Sequence, residues 1–223
     1  MEKTKKLRKI KSKKSLIISV ILLASFIIWT VILCFADVRA VGPEESSVGL
    51  GGLNEYFHGL TGANMLLYTI TDWLGLVPIC VAFCFAVLGA IQLIRRRSLF
   101  AVDHDILALG VFYACVLAGY LLFEFVVINY RPVLIEGRLE VSYPSSTTML
   151  VISVMSTAII QFNRRIKNHI FRNIVIAVVI VFIAFMVVGR VLSGVHWITD
   201  IIGGALLSTG LATGYYFVLK NII

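Results

Sequence analysis

The chain has 223 residues, of which 59% are hydrophobic and only 14% are charged. A composition this apolar excludes an ordinary soluble domain and is typical of an integral membrane protein. The formal net charge is +8, but the basic residues form a few short clusters between apolar runs, and this distribution argues against a nucleic-acid partner.

Six long, nearly charge-free runs follow one another along the chain. Each approaches the roughly 17–25 residues that a membrane helix requires. Because backbone groups cannot remain unpaired in lipid, these runs are predicted to be helices, and the fold class is predicted to be all-α, an integral membrane bundle of six transmembrane helices. The four cysteines lie inside these runs and show neither a disulfide framework nor a zinc-binding spacing. The predicted spans are residues 15–36, 73–94, 106–128, 145–161, 174–192 and 198–218.

The distribution of basic residues predicts the orientation of the bundle. With six spans, 16 of the 20 Lys and Arg residues fall on the side that holds both termini. The positive-inside rule therefore predicts a multi-pass protein of the cell membrane with both termini in the cytoplasm. Residues 1–14 are predicted to form a basic cytoplasmic tail, and residues 15–223 a single membrane-embedded domain. The first apolar run exceeds the roughly 7–15 residues of a signal-peptide core, so it is predicted to be retained.

The first outer loop, residues 37–72, is predicted to contain a short interfacial helix. Apolar residues recur there at helical spacing, at Leu53, Tyr56, Phe57 and Leu60. Such a pattern favours a helix that lies on the membrane surface. His58 falls between these positions and is interpreted as a solvated loop histidine rather than as a ligand.

The second outer loop carries Arg131 and ends in a helix-start signature. Pro144 and the serines that follow it, Ser145 and Ser146, open the fourth span, as is typical of a helix N-terminus. Free N–H groups and the helix dipole at such a position suit an anion such as phosphate. A simple helix cap is the alternative interpretation.

The third outer loop contains the pattern Arg190-x5-His196-x3-Asp200. A histidine can be a nucleophile toward phosphorus, an aspartate one helical turn later can orient its ring, and an arginine can hold phosphate oxygens. The pattern by itself also fits a helix hairpin with polar residues at its solvated end. Together with Arg131 and the start of the fourth span, it predicts a phosphate-transfer site on one face of the membrane.

Between about residues 124 and 200, the sequence resembles the type 2 phosphatidic acid phosphatase family, the membrane relatives of vanadium haloperoxidases. That family carries three ordered motifs, Lys-x6-Arg-Pro, Pro-Ser-Gly-His and Ser-Arg-x5-His-x3-Asp, and their order and spacing recur here. The resemblance implies that Arg131 and Arg190 bind phosphate. It also implies that His196 is a nucleophile forming a phospho-histidine and that Asp200 holds its ring.

The resemblance extends to the helix start and to the ligand class. It implies phosphate binding at the motif positions Ser145, Ser146, Thr147 and Gly189. Members of the family act on lipid phosphates or pyrophosphates at the outer leaflet without a metal, so no cofactor is expected. The expected partners are the lipid substrate and the surrounding membrane lipids, and the sequence makes no prediction about oligomeric state.

Three positions depart from the family motifs. Glu124 replaces the lysine of the first motif, and a carboxylate there would repel phosphate; Arg138 is a candidate replacement cation. Thr147 replaces the histidine that protonates the leaving oxygen, and a hydroxyl group cannot do so. Gly189 replaces the serine of the third motif, a milder change because a glycine N–H can still approach phosphate.

The missing general acid bears on the expected substrate. Losing such a group typically costs about 10²–10⁴ in rate, but a pyrophosphate carries a good leaving group and needs little protonation. The sequence therefore predicts a membrane lipid phosphatase that acts at the outer face and prefers a polyprenyl pyrophosphate. One alternative is a weak or inactive relative that binds a lipid phosphate, and another is a transporter or structural membrane protein with chance motif matches.

Overall fold

The computed structural model describes the backbone of residues 2–222 and the side chains of residues 12–221. The described chain is helical, with short 3₁₀ turns and isolated backbone bridges in the loops, so the predicted all-α class is confirmed. Six segments are long and apolar enough to cross a membrane, which agrees with the predicted number of spans. The α-helices are α1 (Glu2–Phe35), α2 (Gly51–Thr61), α3 (Met65–Leu74), α4 (Leu76–Arg96), α5 (His104–Phe125), α6 (Ser146–Arg165), α7 (His169–Ser193) and α8 (Ile198–Ile222).

The boundaries of several spans differ from the prediction. The second span is longer at its start and consists of two helices, α3 and α4, which meet at Gly75. It begins early because the side chain of Asn64 caps α3 by accepting a hydrogen bond from the backbone N–H of Leu67 at 3.0 Å. The basic N-terminal segment is helical and continuous with the first span, since α1 begins at Glu2; its assignment as a cytoplasmic tail remains a prediction.

Two helices form the centre of the bundle. Half of the membrane-crossing window of α6 and 44% of that of α8 are buried, against 17–22% for the other four spans. Helix α6 packs against α4, α5, α7 and α8, and α1 runs along α8. The central helices are the least apolar of the six because they face protein rather than lipid. They also lead directly into and out of the loops that carry the predicted site.

The helix α2 confirms the short helix predicted in the first outer loop. Leu53, Tyr56 and Leu60 are exposed on it, and their location at a membrane surface remains a prediction. Its other face is anchored by the buried Asn54, whose side-chain amide donates to Thr199 Oγ1 at 2.9 Å. This contact ties α2 to the start of α8.

His58 on α2 is not the solvated histidine that the sequence suggested. Its ring packs edge-on against Trp197, with 5.5 Å between the ring centroids. Burial lowers the pKa of His58, although a hydrogen bond with the backbone at Gly194 partly opposes this shift. The residue therefore supports the loop that contains His196.

A close backbone contact holds the turn between α7 and α8. Gly194 has φ +62, and a Cβ atom there would lie 1.6 Å from the carbonyl oxygen of Gly62. The adjacent carbonyl of Ser193 accepts a hydrogen bond from the backbone N–H of Asn64 at 2.8 Å. Only glycine fits this position. The contact fixes the turn that carries His196 at one position along the axis of the bundle.

The opposite end of the bundle collects the basic clusters. Arg165 Nη2 lies 2.9 Å from Asp105 Oδ2, and Arg96 Nη1 lies 2.8 Å from Asp103 Oδ1. Helices α1 and α8 are joined at this same end, where the side-chain amide of Asn221 donates to Ser12 Oγ at 2.8 Å. The predicted site and the basic clusters therefore occupy opposite ends of the bundle; which end faces the cytoplasm remains a prediction.

Candidate functional site

The structure brings Arg131, Arg190, His196 and Asp200 together at one end of the bundle. Arg190 comes from the last turn of α7, His196 from the turn that follows, and Asp200 from the first turn of α8. The loop between α5 and α6 contributes Arg131, which lies near enough for its charge to act on both His196 and Arg190. Residues separated by about 70 positions thus form one buried cluster.

His196 and Asp200 are linked through Ser142 rather than by direct contact. Ser142 Oγ lies 2.9 Å from His196 Nδ1 and donates to Asp200 Oδ2 at 2.5 Å. The expected direct contact assumed that both residues share a helix, but α8 begins only at Ile198. The Asp200 carboxylate instead turns back to accept a hydrogen bond from the backbone N–H of Trp197 at 3.0 Å.

The hydrogen bonds around Asp200 determine which nitrogen of His196 carries a proton. Asp200 accepts from Ser142, from Trp197 and from the side-chain amide of Asn129 at 3.0 Å, so it acts only as an acceptor. The single Ser142 proton is directed to Asp200, and therefore His196 Nδ1 must donate to Ser142 Oγ. The lone pair of His196 is then on Nε2.

His196 Nε2 is buried and has no hydrogen-bond partner among the described residues. Burial is the main cause that lowers the pKa of His196 well below its ordinary value, and the positive charges of Arg131 and Arg190 add to this shift. The imidazole is therefore neutral near pH 7. A neutral imidazole with a free Nε2 lone pair beside two cations is the form required of a nucleophile toward an anion.

Arg190 is buried, and only one of its guanidinium nitrogens is engaged in hydrogen bonds among the described residues. Its side chain is 1% exposed, and Nη2 donates to Asp72 Oδ1 at 2.8 Å and to Thr147 Oγ1 at 2.7 Å. Its Nε and Nη1 atoms are buried and lack hydrogen-bond partners among the described residues. Buried donors without partners are uncommon, and a guanidinium with free N–H groups matches the oxygens of a phosphate.

Arg131 is arranged in a similar way and also lies close to Tyr68. Its Nε lies 3.1 Å from Glu140 Oε2, which is an ion pair by distance, but the angle does not make it a hydrogen bond. No other side chain or backbone group that the structure describes forms a hydrogen bond with Nε or Nη1. The guanidinium carbons of Arg131 and Arg190 lie 5.8 Å and 5.0 Å from the centroid of the Tyr68 ring. The aromatic ring thus stabilises two like charges close together.

The start of α6 differs in part from the sequence interpretation. Ser145 is its N-cap: Oγ accepts from the N–H of Thr148 at 3.5 Å and donates to Thr148 Oγ1 at 3.0 Å. The hydroxyl of Ser145 is fully buried and engaged in the cap. Ser146 and Thr147 are half-buried, and they carry the first N–H groups of the helix, which have no acceptor within it.

Gly189 allows close helix packing, and the phosphate contact expected of it remains a prediction. It lies inside α7, where its N–H belongs to the hydrogen bonding of the helix. A Cβ atom at Gly189 would lie 2.7 Å from Thr71 Cγ2. The glycine therefore allows α3 to approach α7 closely, and this approach brings Tyr68 and Asp72 to Arg190.

The two remaining sequence candidates lie outside the charge cluster. Glu124 is exposed near the end of α5, lines a small cavity together with Ser146, and forms no ion pair among the described residues. Arg138 is exposed in a turn closed by backbone hydrogen bonds to Ile135. The structure gives no support for Arg138 as a replacement for the lysine of the first motif.

A largely apolar groove of about 470 Å³ leads away from the start of α6. Its polar end is formed by Asp72, Ser146 and Thr147. From there it extends along the surfaces of α4, α5 and α6 into the apolar part of the bundle, where its lining includes Leu76, Ile79, Leu117, Leu150 and Val154. The dimensions and lining suit a hydrocarbon chain whose polar end lies near Arg190.

Four further residues of the site were not identified from sequence: Tyr68, Asp72, Asn129 and Ser142. Asp72 offered a signal, because an acidic residue next to an apolar span is costly and usually functional. The other three are ordinary loop or helix residues, and no pattern distinguishes them. Their proximity to Arg190 or Asp200 depends on how the outer loops fold over the bundle.

Comparisons with known proteins agree with this architecture. The sequence model of the family described as PAP2 superfamily matches residues 106–223. A crystal structure described as the first transmembrane PAP2 type phosphatidylglycerolphosphate phosphatase from Bacillus subtilis is similar, with a TM-score of 0.61 at 19% sequence identity. The similarity covers 92% of this chain and 97% of that chain. No curated protein matches the chain significantly.

Proposed function

The chain belongs to the PAP2 superfamily, and from this membership we propose that it is a membrane lipid phosphatase with His196 as its nucleophile. The observation that carries the proposal is the buried Nε2 of His196 beside Arg131 and Arg190; within the described part of the chain, this nitrogen and N–H groups of both arginines have no hydrogen-bond partner. Such a cluster is costly to maintain unless an anion completes it.

The geometry supports a two-step reaction. In the first step His196 Nε2 attacks the phosphorus atom, and the bond from phosphorus to the leaving oxygen breaks with its electron pair going to that oxygen. Arg131 and Arg190 stabilise the charge on the remaining phosphoryl oxygens. The ring gains positive charge, and the Asp200 carboxylate stabilises it through the hydrogen bonds from Nδ1–H to Ser142 and from Ser142 to Asp200. In the second step water releases phosphate and restores the free histidine.

The surroundings of Thr147 favour a substrate with a good leaving group. Its hydroxyl accepts a hydrogen bond from Arg190, and a threonine hydroxyl cannot protonate a departing alkoxide. When His196 attacks the terminal phosphorus of a lipid pyrophosphate, the leaving group is the lipid monophosphate, whose charge is stabilised without protonation. The adjacent groove suits a hydrocarbon tail, so a polyprenyl pyrophosphate that enters from the outer leaflet is the proposed substrate.

We expect a pyrophosphate lipid to be the fastest substrate in a direct comparison. Purified protein in detergent, with a metal chelator present, would be given a polyprenyl pyrophosphate, a polyprenyl monophosphate, phosphatidate and phosphatidylglycerol phosphate, and released phosphate would be measured. His196→Ala is the control for contaminating phosphatases. The expected preference over the monoesters is roughly 10²-fold or more, because the missing acid slows only substrates whose leaving oxygen needs a proton.

The other outcomes of this experiment are also informative. Equal or faster release from phosphatidate would contradict the pyrophosphate preference but keep a histidine-dependent phosphatase. No release above the His196→Ala background on any lipid would favour the alternative of a relative that binds a lipid phosphate without hydrolysing it. The carboxylates of Asp72 and Glu140, each paired with a phosphate-binding arginine, are the features consistent with that alternative.

Ser142→Ala and Asp200→Asn are expected to lower turnover by similar amounts. Both interrupt the chain from His196 Nδ1 to the Asp200 carboxylate, which fixes the tautomer and supports the charged ring. The double variant should be little worse than either single variant, because the two residues act as one unit. A kinetic comparison of the three variants checks this, and additive losses would show that Ser142 does not mediate the interaction.

A further inference from the structure

Asp72 occupies a position in the site that none of the three sequence motifs includes. Its carboxylate contacts Arg190 Nη2 at 2.8 Å, and the same nitrogen contacts Thr147 Oγ1 at 2.7 Å. Asp72 is therefore next to the residue that replaces the motif histidine. Unlike Arg190, it is 59% exposed, and it lines the polar end of the groove together with Ser146 and Thr147.

The proposed reaction needs a proton acceptor in its second step. Water that attacks a phospho-histidine must lose a proton, and Thr147 cannot accept one near pH 7. Among the described side chains, Asp72 and Glu140 are the carboxylates that form ion pairs with the two arginines of the site. Glu124 has no contact with either arginine, and Glu140 lies on the Arg131 side. Asp72 is the one beside Arg190 and Thr147, at the end of the groove from which a departing group would leave.

We propose that Asp72 is the general base that activates water for hydrolysis of the phospho-histidine. This inference rests on the proposed function and adds a catalytic group to it. Water oxygen forms the new bond to phosphorus, the Nε2–P bond breaks, and its electron pair returns to His196. The water proton passes to an Asp72 carboxylate oxygen, and inorganic phosphate is released.

The environment of Asp72 suits this task. Its ion pair with the buried guanidinium of Arg190 holds the carboxylate oxygens in place beside the proposed phosphoryl site. Its exposure allows the proton to pass on to solvent after each cycle. Because Arg190 contacts both Asp72 and the proposed phosphoryl group, it would hold the base and the electrophile at a fixed distance.

Asp72→Asn tests the inference by separating formation of the phosphoenzyme from its breakdown. The probe is farnesyl pyrophosphate labelled in its terminal phosphate, with rapid acid-free quenching to preserve a phospho-histidine. The variant should form the phosphoenzyme at the wild-type rate in the first turnover. The phosphoenzyme should then accumulate in this variant, because its breakdown slows by roughly 10²–10⁴-fold. Asp72→Glu should restore part of the breakdown rate, and Glu140→Gln, which removes the matching carboxylate from Arg131, should cause no accumulation.

Other results would overturn the inference. If Asp72→Asn slows formation and breakdown together, or weakens vanadate binding, Asp72 only positions Arg190. Wild-type turnover in the variant would exclude any role in the second step. A failure of the proposed function is distinguishable, because it would show in the wild-type protein as the absence of both labelled enzyme and released phosphate. Thermal unfolding in detergent would confirm that each variant is folded.

Discussion

His196→Ala is expected to reduce phosphate release to the background of the assay, a loss of roughly 10⁴–10⁶-fold. No other described histidine lies in the charge cluster, so no second imidazole can form the covalent intermediate. Burial and the neighbouring arginines lower the pKa of His196, which keeps the wild-type nucleophile neutral at the pH of the assay. Initial rates and labelling of the quenched enzyme are the measurements.

A matched control for this prediction is His169→Ala. His169 is exposed at the start of α7, at the opposite end of that helix from the site. Its removal should leave both turnover and labelling unchanged. If His196→Ala retained labelling, the phosphoryl acceptor would be another residue, and the two-step scheme would need a different nucleophile.

Arg190→Ala is expected to lower turnover by roughly 10²–10³-fold and to abolish saturable vanadate binding. The guanidinium supplies the buried Nε and Nη1 donors, which have no partner in the described structure, and loss of one such preorganised donor commonly has an effect of this size. The fold should persist, because α3 and α7 also contact each other at Thr71 and Gly189. Kinetics and vanadate titration measure the effect, and thermal unfolding verifies the fold.

Two further variants sharpen the Arg190 prediction. Arg190→Lys should recover little activity, because an ammonium group cannot reach Asp72, Thr147 and a phosphate with the geometry of a guanidinium. Arg138→Ala removes an exposed arginine of the neighbouring loop, whose side chain forms no hydrogen bond or ion pair with the described residues of the cluster. Equal losses in Arg138→Ala and Arg190→Ala would indicate a general electrostatic effect rather than a specific phosphate contact.

The similarity to the Bacillus subtilis structure shows the fold. The proposed chemistry depends instead on residues that depart from the family motifs or lie outside them. Thr147 and Asp72 both contact Arg190, one as a neutral acceptor and the other as a carboxylate. The replacement of a motif histidine by threonine is therefore accompanied by an acid–base group on a different helix. This arrangement is the physical basis for proposing a good leaving group in the first step and a carboxylate base in the second.

The sequence determined the number of spans because membrane helices satisfy their backbone locally, and each span can be recognised without knowledge of its neighbours. The ends of the spans were less well predicted. The second span begins at Met65 rather than near residue 73, because Asn64 caps a helix that starts within a polar loop. Such a cap depends on a single side chain, so it is hardly visible when the ends of a span are predicted from the hydropathy of many residues.

The sequence by itself determined the six-helix bundle. It also predicted the central residues of the site, because the spacing of the motifs that contain them can be read along the chain: Arg131, Arg190, His196 and Asp200. Tertiary structure alone decided how these groups contact one another. Ser142 enters between His196 and Asp200, Gly189 serves packing, and Asp72 reaches Arg190 from α3. The physical reason is that such contacts join loops distant in sequence, and their distances are set by close packing of α3 on α7 and of the turn at Gly194 on Gly62.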